Sequence, residues 1–127
     1  MNLSHLDHFV LTVVDIDATT RFYETVLGMR TETFAGGRVA LKYGRQKINL
    51  HQQGREFEPK AARPMPGSAD LCFITTTPID EAMREVLGHG VEIIEGPVAR
   101  TGANGPIESF YFRDPDDNLI EVSRYTD

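Results

Sequence analysis

The feature that most constrains this chain is a pattern of strand, helix and three short strands that occurs twice. In the first copy the β-branched run His8-Phe9-Val10-Leu11-Thr12-Val13-Val14 reads as a strand. Over Ala18–Leu27, Phe22, Tyr23, Val26 and Leu27 recur at helical spacing, with Asp17 placed to cap the start and Gly28 to end the helix. The second copy opens on Asp70-Leu71-Cys72-Phe73-Ile74-Thr75 and continues into a helix with Thr77 as the expected cap and Pro78 at its first position. Ile79, Met83, Val86 and Leu87 form that helix's apolar face, and Gly88 closes it. Glycine-punctuated strands follow each helix: Met29–Thr33, Arg38–Tyr43 and Lys47–Gln52, then Val91–Glu95, Ser109–Arg113 and Asn118–Arg124. Gly54–Ser68, which holds Pro59, Pro64 and Pro66, suits an extended linker. The expected architecture is α+β, one domain over 1–127 built of tandem βαβββ modules (about 4–53 and 69–125, linker 54–68).

Period-two alternation turns this repeat into a chemical expectation. Phe9, Leu11, Val13, Ile48, Leu50, Leu71, Phe73, Ile120 and Val122 suit the faces beneath the helices. His8, His51, Asp70 and Glu121 then share the opposite face. Laid over each other, the two copies place His8 on Asp70 at an offset of 62 and His51 on Glu121 at an offset of 70. Two imidazoles and two carboxylates around one point require a compensating cation. Mixed nitrogen and oxygen donors suit Mn, Fe, Co, Ni or Zn. His5 would lie on the wrong strand face, and His89, between two glycines, reads as a solvated turn residue. Arg113-Asp114-Pro115-Asp116 has the chemistry of a tight turn leading into the last strand. Gly96–Pro106 reads as a mobile loop, from which Arg100 and Thr101 would meet a substrate carboxylate or phosphate.

Composition closes off several function classes. With 13 Lys+Arg against 19 Asp+Glu, a net charge of −6, there is no basic surplus to draw a phosphate backbone, so nucleic acid is not an expected partner. No apolar run approaches the roughly 20 residues of a membrane span. One cysteine, Cys72, forms no internal disulfide and reads as a small buried hydrophobe on the Asp70 face. With no charged-then-apolar leader over Met1–His8, the expected setting is a reducing cytoplasm.

Several segments carry a resemblance: Leu6–Val13, Phe22-Tyr23 with Leu27-Gly28-Met29, Gln46–His51, Phe57–Ala62, Gly67–Cys72, Glu95–Ala103, Tyr111–Asp116 and Asn118–Val122. Through them the sequence resembles the vicinal oxygen chelate superfamily of glyoxalase I, extradiol dioxygenases, fosfomycin-resistance enzymes and bleomycin-binding proteins, nearest to its glyoxalase-domain-containing branch. The resemblance implies two modules whose mixed sheets curl into a cup around a divalent metal held by His8, His51, Asp70 and Glu121, a small-molecule substrate and a homodimer. Asp70 departs from the family pattern, since a glyoxalase I has His there. Asp70 then ligates directly, reaches the ion through water, or leaves a two-histidine, one-carboxylate site of the oxygenase type. Three functions follow as expectations. In a glyoxalase I-like isomerase or lyase, Glu121 is the catalytic base. The alternatives are a ring-cleaving dioxygenase and a binding protein that sequesters a drug without turnover.

Overall fold

The computed structural model describes residues 1–126 and has an α+β architecture of two four-stranded mixed sheets and two helices. The chain divides into two compact units, Met1–Pro66 and the part from Gly67 onward.

In the N-terminal unit β1 (His8–Val13) leads into α1 (Ile16–Leu27) and then β2 (Arg30–Phe34), β3 (Arg38–Tyr43) and β4 (Gln46–Gln52). The sheet order is β1-β4-β3-β2, with β1 parallel to β4 and the other pairs antiparallel. The α1 start lies two residues earlier than the sequence suggested. Asp15, not Asp17, is the cap, and its carboxylate accepts from the Ala18 N–H at 3.1 Å. Asp17 falls in the first turn, where a negative charge favours the helix dipole. Gly28 ends the helix as expected, in the left-handed region at φ 66°. Leu11, Val13, Leu41, Ile48 and Leu50 are all buried, and so is Tyr23 of α1. One sheet face thereby becomes a core, and alternate residues are left for the other.

The C-terminal unit repeats the plan with β5 (Asp70–Ile74), α2 (Ile79–Gly88), β6 (Glu95–Gly102), β7 (Gly105–Arg113) and β8 (Leu119–Tyr125), in the order β5-β8-β7-β6. Its core holds Ile79, Ala82 and Val86 of α2 with Phe110, Phe112, Ile120 and Val122. Pro78 takes the cap position and supplies no side-chain bond. Thr77, the expected cap, instead donates its own N–H to the Thr75 hydroxyl at 3.0 Å.

The larger correction concerns Gly96–Pro106. That stretch is a strand pair, not a mobile loop: β6 and β7 are in register from Val98↔Ser109 to Gly102↔Gly105. A bulge between Glu95 and Val98 absorbs Gly96-Pro97, which obscures the alternation in the sequence. Gly96 sits at φ 129°, and a Cβ there would lie 2.5 Å from the Phe110 Cβ, so only glycine fits.

The Asp114 turn behaves as its sequence implies and also sets the start of β5. The Asp114 carboxylate accepts from the backbone N–H of Asp116 (2.9 Å) and Asn118 (3.0 Å) and from Asn118 Nδ2 (2.8 Å). Asn118 Oδ1 in turn accepts the Ala69 N–H at 2.9 Å, one residue before Asp70.

Candidate functional site

The sheet face away from α2 carries the clearest chemistry. Register places Glu95, Tyr111, Glu121 and Cys72 in one row across β6, β7, β8 and β5. Asp70 lies on the same face, two residues before Cys72 and therefore diagonal to Glu121. Glu121 is half-buried and accepts a hydrogen bond from the Ser123 hydroxyl at 3.1 Å. Its other neighbours are the Cys72 thiol and the Tyr111 phenol. None of these partners is a cation.

Both neighbours are held neutral. Partial burial pushes the Cys72 thiol up, and the Glu121 and Asp70 carboxylates push the same way against a hydrogen bond with Ser123. Burial likewise raises the Tyr111 phenol; the Arg100 hydrogen bond opposes this and the Glu121 charge adds to it. Arg100 Nε donates to the Tyr111 oxygen at 3.0 Å, Nη1 to the Ala99 carbonyl at 3.1 Å and Nη2 to Glu95 at 3.2 Å. Around this network lies a cavity of about 380 Å³, lined by Glu121, Tyr111, Arg100, Cys72, Thr101 and apolar groups that include Ile74 and Ile107.

Arg100 and Thr101 thus do line a cavity, but from a paired strand, and three of the five N–H groups of Arg100 hold the bonds above. Sequence reasoning missed Tyr111 and Glu95 as members of this site. The alternation of Ser109, Tyr111 and Arg113 opposite Ser123, Glu121 and Leu119 was the available signal for Tyr111.

The N-terminal unit presents its own set on the face away from α1. His8 begins β1, exposed, with its Nδ1 paired to Asp7 at 2.8 Å. That hydrogen bond is the largest influence holding the Asp7 carboxyl below its ordinary value. Fixing Nδ1 leaves Nε2 directed outward, the arrangement common in metal-binding imidazoles. His51, by contrast, is only 3% exposed, and neither of its ring nitrogens has a partner. Asn49, two residues earlier on the same face, has a buried Oδ1 that also lacks one. Burial first, and then the Arg38 charge, depress the His51 imidazole, which is therefore neutral. The Phe57 ring stands edge-on to His51 at 5.6 Å, and the Arg38 guanidinium stacks over Phe57 at 4.7 Å.

Register corrects the expected overlay. His8 pairs with Lys47 and Asp70 with Leu119, so Asp70 still matches His8, but the match to Glu121 is Asn49 and the match to His51 is Ser123. His51 lies opposite Thr12, four positions beyond His8 along parallel strands. At about 3.3 Å per residue that is roughly 13 Å, too far for the two imidazoles to share one ion at about 2 Å from each. Among the described residues, no three His, Cys, Asp or Glu side chains form a group that would hold a metal. Of the expected ligands, Asp70 and Glu121 are brought together on one sheet face, and His8 and His51 are not. His5 is exposed and bonded to Ser4, clear of the sheet.

The model for the Glyoxalase/Bleomycin resistance protein/Dioxygenase superfamily matches residues 5–122. Virulence protein STM3117 of Salmonella typhimurium is 62% identical over 98% of this chain and 87% of that protein. The glyoxalase domain-containing protein RDO1 of Mycosarcoma maydis is 55% identical over 100% of this chain and 72% of its own length. An integron cassette protein from the mobile metagenome of V. cholerae superposes with a TM-score of 0.98 at 65% identity, covering 99% of this chain and 98% of that one. More distantly, a lactoylglutathione lyase from Agrobacterium tumefaciens (26% identity, TM-score 0.74) and the Streptomyces antibiotic-binding protein TnmS3 (22%, 0.77) share the fold. Among the described residues, no helix is long and apolar enough to cross a membrane.

Proposed function

This chain belongs to the Glyoxalase/Bleomycin resistance protein/Dioxygenase superfamily, the vicinal oxygen chelate proteins, and on that premise we propose that it is a divalent-metal-dependent enzyme acting as an isomerase or lyase on a small substrate with adjacent oxygens. The observation that carries the reading is Glu121: a half-buried carboxylate at a cavity wall, diagonal to the second carboxylate Asp70 and oriented by the Ser123 hydroxyl. Two carboxylates on one sheet face attract a cation.

The proposed donors are Asp70 and Glu121 of the C-terminal unit, two carboxylates that suit a divalent ion such as Mn, Fe, Co, Ni or Zn. His8 and His51 lie too far apart along their strands to supply together the two-histidine set of a ring-cleaving dioxygenase. When bound, the ion supplies Lewis-acid polarisation of the substrate oxygens. Ser123 orients the Glu121 carboxylate, which then takes the proton from a carbon beside the substrate carbonyl. Tyr111, facing Glu121 across β7 and β8, presents its O–H to the oxygen that gains charge as that proton leaves.

Elemental analysis of the purified full chain tests the reading. About one divalent ion per chain is expected, with loss of metal in both Asp70→Ala and Glu121→Ala. Undiminished metal in both variants rejects the donor pair.

A further inference from the structure

The N-terminal unit holds a cation that its own residues leave unpaired. Arg38, the first residue of β3, is half-buried, and its guanidinium lies 5.5 Å from the centre of the Phe34 ring and 4.7 Å from that of Phe57. Among the described residues, no hydrogen bond or ion pair engages it. Three carboxylates of the same unit are committed elsewhere: Glu56 accepts the Gly54 N–H at 2.9 Å, Glu58 pairs with Lys60, and Glu32 lies 4.0 Å from Lys42. Lys47 stands over the Phe34 ring as well, at 3.9 Å, so one ring carries two cations. An aromatic ring attracts the charge but supplies no acceptor oxygen, which leaves the five N–H groups of Arg38 for a partner from outside the chain. A guanidinium placed by packing, with its donor fork intact, is preorganised for an oxyanion.

The neighbour of Arg38 on this sheet face has the same lack. Val39 stands opposite Leu50, so Arg38 and His51 fall next to each other across β3 and β4. His51 is buried with the Phe57 ring edge-on to it, and neither ring nitrogen has a partner. Its imidazole is neutral and so has one N–H to give. Asn49 Oδ1, on the same face, is also buried and unpartnered. Buried polar atoms left without partners in the chain call for a group from outside it. We infer that Arg38 and His51 form an anion site in the N-terminal unit, and that it takes a small carboxylate carried on a flat apolar body. The guanidinium fork meets the two carboxylate oxygens side by side, and the His51 N–H is a further donor. Phe34 and Phe57 then offer the flat body apolar rings to stack on. Phe57 is 41% exposed and follows β4, so its ring gives way to a ligand without disturbing the buried residues of the sheet. A tetrahedral phosphate uses the fork but not the rings. The site belongs to a different unit from Asp70 and Glu121 and does not rest on the metal proposed there.

The test is calorimetric titration of benzoate, its neutral isostere benzamide and inorganic phosphate into the purified full chain, before and after treatment with a chelator. Benzoate is expected to bind about tenfold tighter than benzamide or more, the scale of one charge-assisted hydrogen bond, and tighter than phosphate. The chelator should leave this preference unchanged. Arg38→Gln should remove most of it, whereas Arg38→Lys, which keeps the charge without the fork, should retain part. Amide NMR spectra show that the variants remain folded and locate the ligand: benzoate should shift the signals of Phe34, Arg38, His51 and Phe57. Benzoate binding no tighter than benzamide or phosphate, or binding unchanged in Arg38→Gln, overturns the inference. So does loss of benzoate binding on chelation, or shifts centred on Asp70 and Glu121, since either places the anion on the other unit.

Discussion

Replacing Asp114 tests how the turn before β8 holds the site in place. Its carboxylate accepts three hydrogen bonds, two of them from Asn118, which is 1% exposed. Asp114→Ala leaves the Asn118 N–H and Nδ2 without acceptors in a place water does not reach. At about 1–3 kcal/mol for each stranded donor the loss is about 2–6 kcal/mol. A domain of this kind has a total stability of only about 5–15 kcal/mol. Asp114→Asn is the informative companion. It preserves shape and an acceptor oxygen but sets one amide NH2 against another at the 2.8 Å contact, forfeiting one bond for about 1–3 kcal/mol.

Urea denaturation of the full chain measures both losses, and the slope of the transition shows whether the variants remain cooperative. The effect should reach the metal as well. Asn118 Oδ1 holds the Ala69 N–H, so a loosened Asn118 lets the start of β5, and Asp70 with it, move relative to Glu121. Metal affinity in Asp114→Asn should therefore fall along with stability, with Asp70 and Glu121 both still present. An Asp114→Ala variant within about 0.5 kcal/mol of the parent would show that the clamp contributes nothing, and the account of how Asp70 is positioned would fall with it.

Further outcomes follow from the same contacts. The folded state depresses the His51 imidazole, so the unfolded chain binds that proton first; stability holds above the ordinary value of about 6.5 and declines as pH falls through and below it. His51→Phe should flatten that decline in denaturation curves taken between pH 7.5 and 5.5, and an unchanged slope refutes the assignment. Gly96→Ala should destabilise the C-terminal unit by about 3 kcal/mol or more, because the new methyl overlaps Phe110 and the backbone is left-handed; a melting temperature near the parent's would contradict the close approach. Cys72 is exposed but its thiol is raised, so iodoacetamide at pH 7.5 should modify it more slowly than a free thiol of ordinary pKa. A faster reaction would place a cation near the sulfur.

What the sequence disclosed and what it concealed divide along physical lines. The β1, α1 and β4 pattern was legible because Leu11, Val13, Ile48 and Leu50 alternate strictly and Tyr23 falls at the right helical phase; each of these is buried. The same alternation put Asp70 and Glu121 on one face, where register leaves them diagonal neighbours. The β6–β7 hairpin was hidden because Gly96-Pro97 shifts the phase through a bulge, and glycines normally announce a loop. Arg100 was visible as a charge near the site, but its three partners come from Tyr111, Glu95 and its own neighbour's carbonyl, information that exists only once β6 lies against β7.

The overlay of the two halves failed for a more instructive reason. Matching ligand-like residue types drew His51 onto Glu121, whereas the hydrogen-bonded ladders match Asn49 to Glu121 and His51 to Ser123. Register is set by backbone pairing and by which face is buried, and neither depends on whether a side chain binds metal. Read by ladder, the halves are no longer chemically equivalent. The C-terminal row is Glu95, Tyr111, Glu121 and Cys72, and the N-terminal row is Glu32, Ala40, Asn49 and Val10. A charged acceptor survives at the β8 position and a neutral amide stands at the β4 position. The donors proposed for an ion, Asp70 and Glu121, both belong to the second unit. His51 keeps two unpartnered nitrogens one step further along the strand, under Phe57, where the neighbouring charge of Arg38 repels a cation. Duplication explains the shared fold, but the chemistry resides in the residues by which the two copies differ.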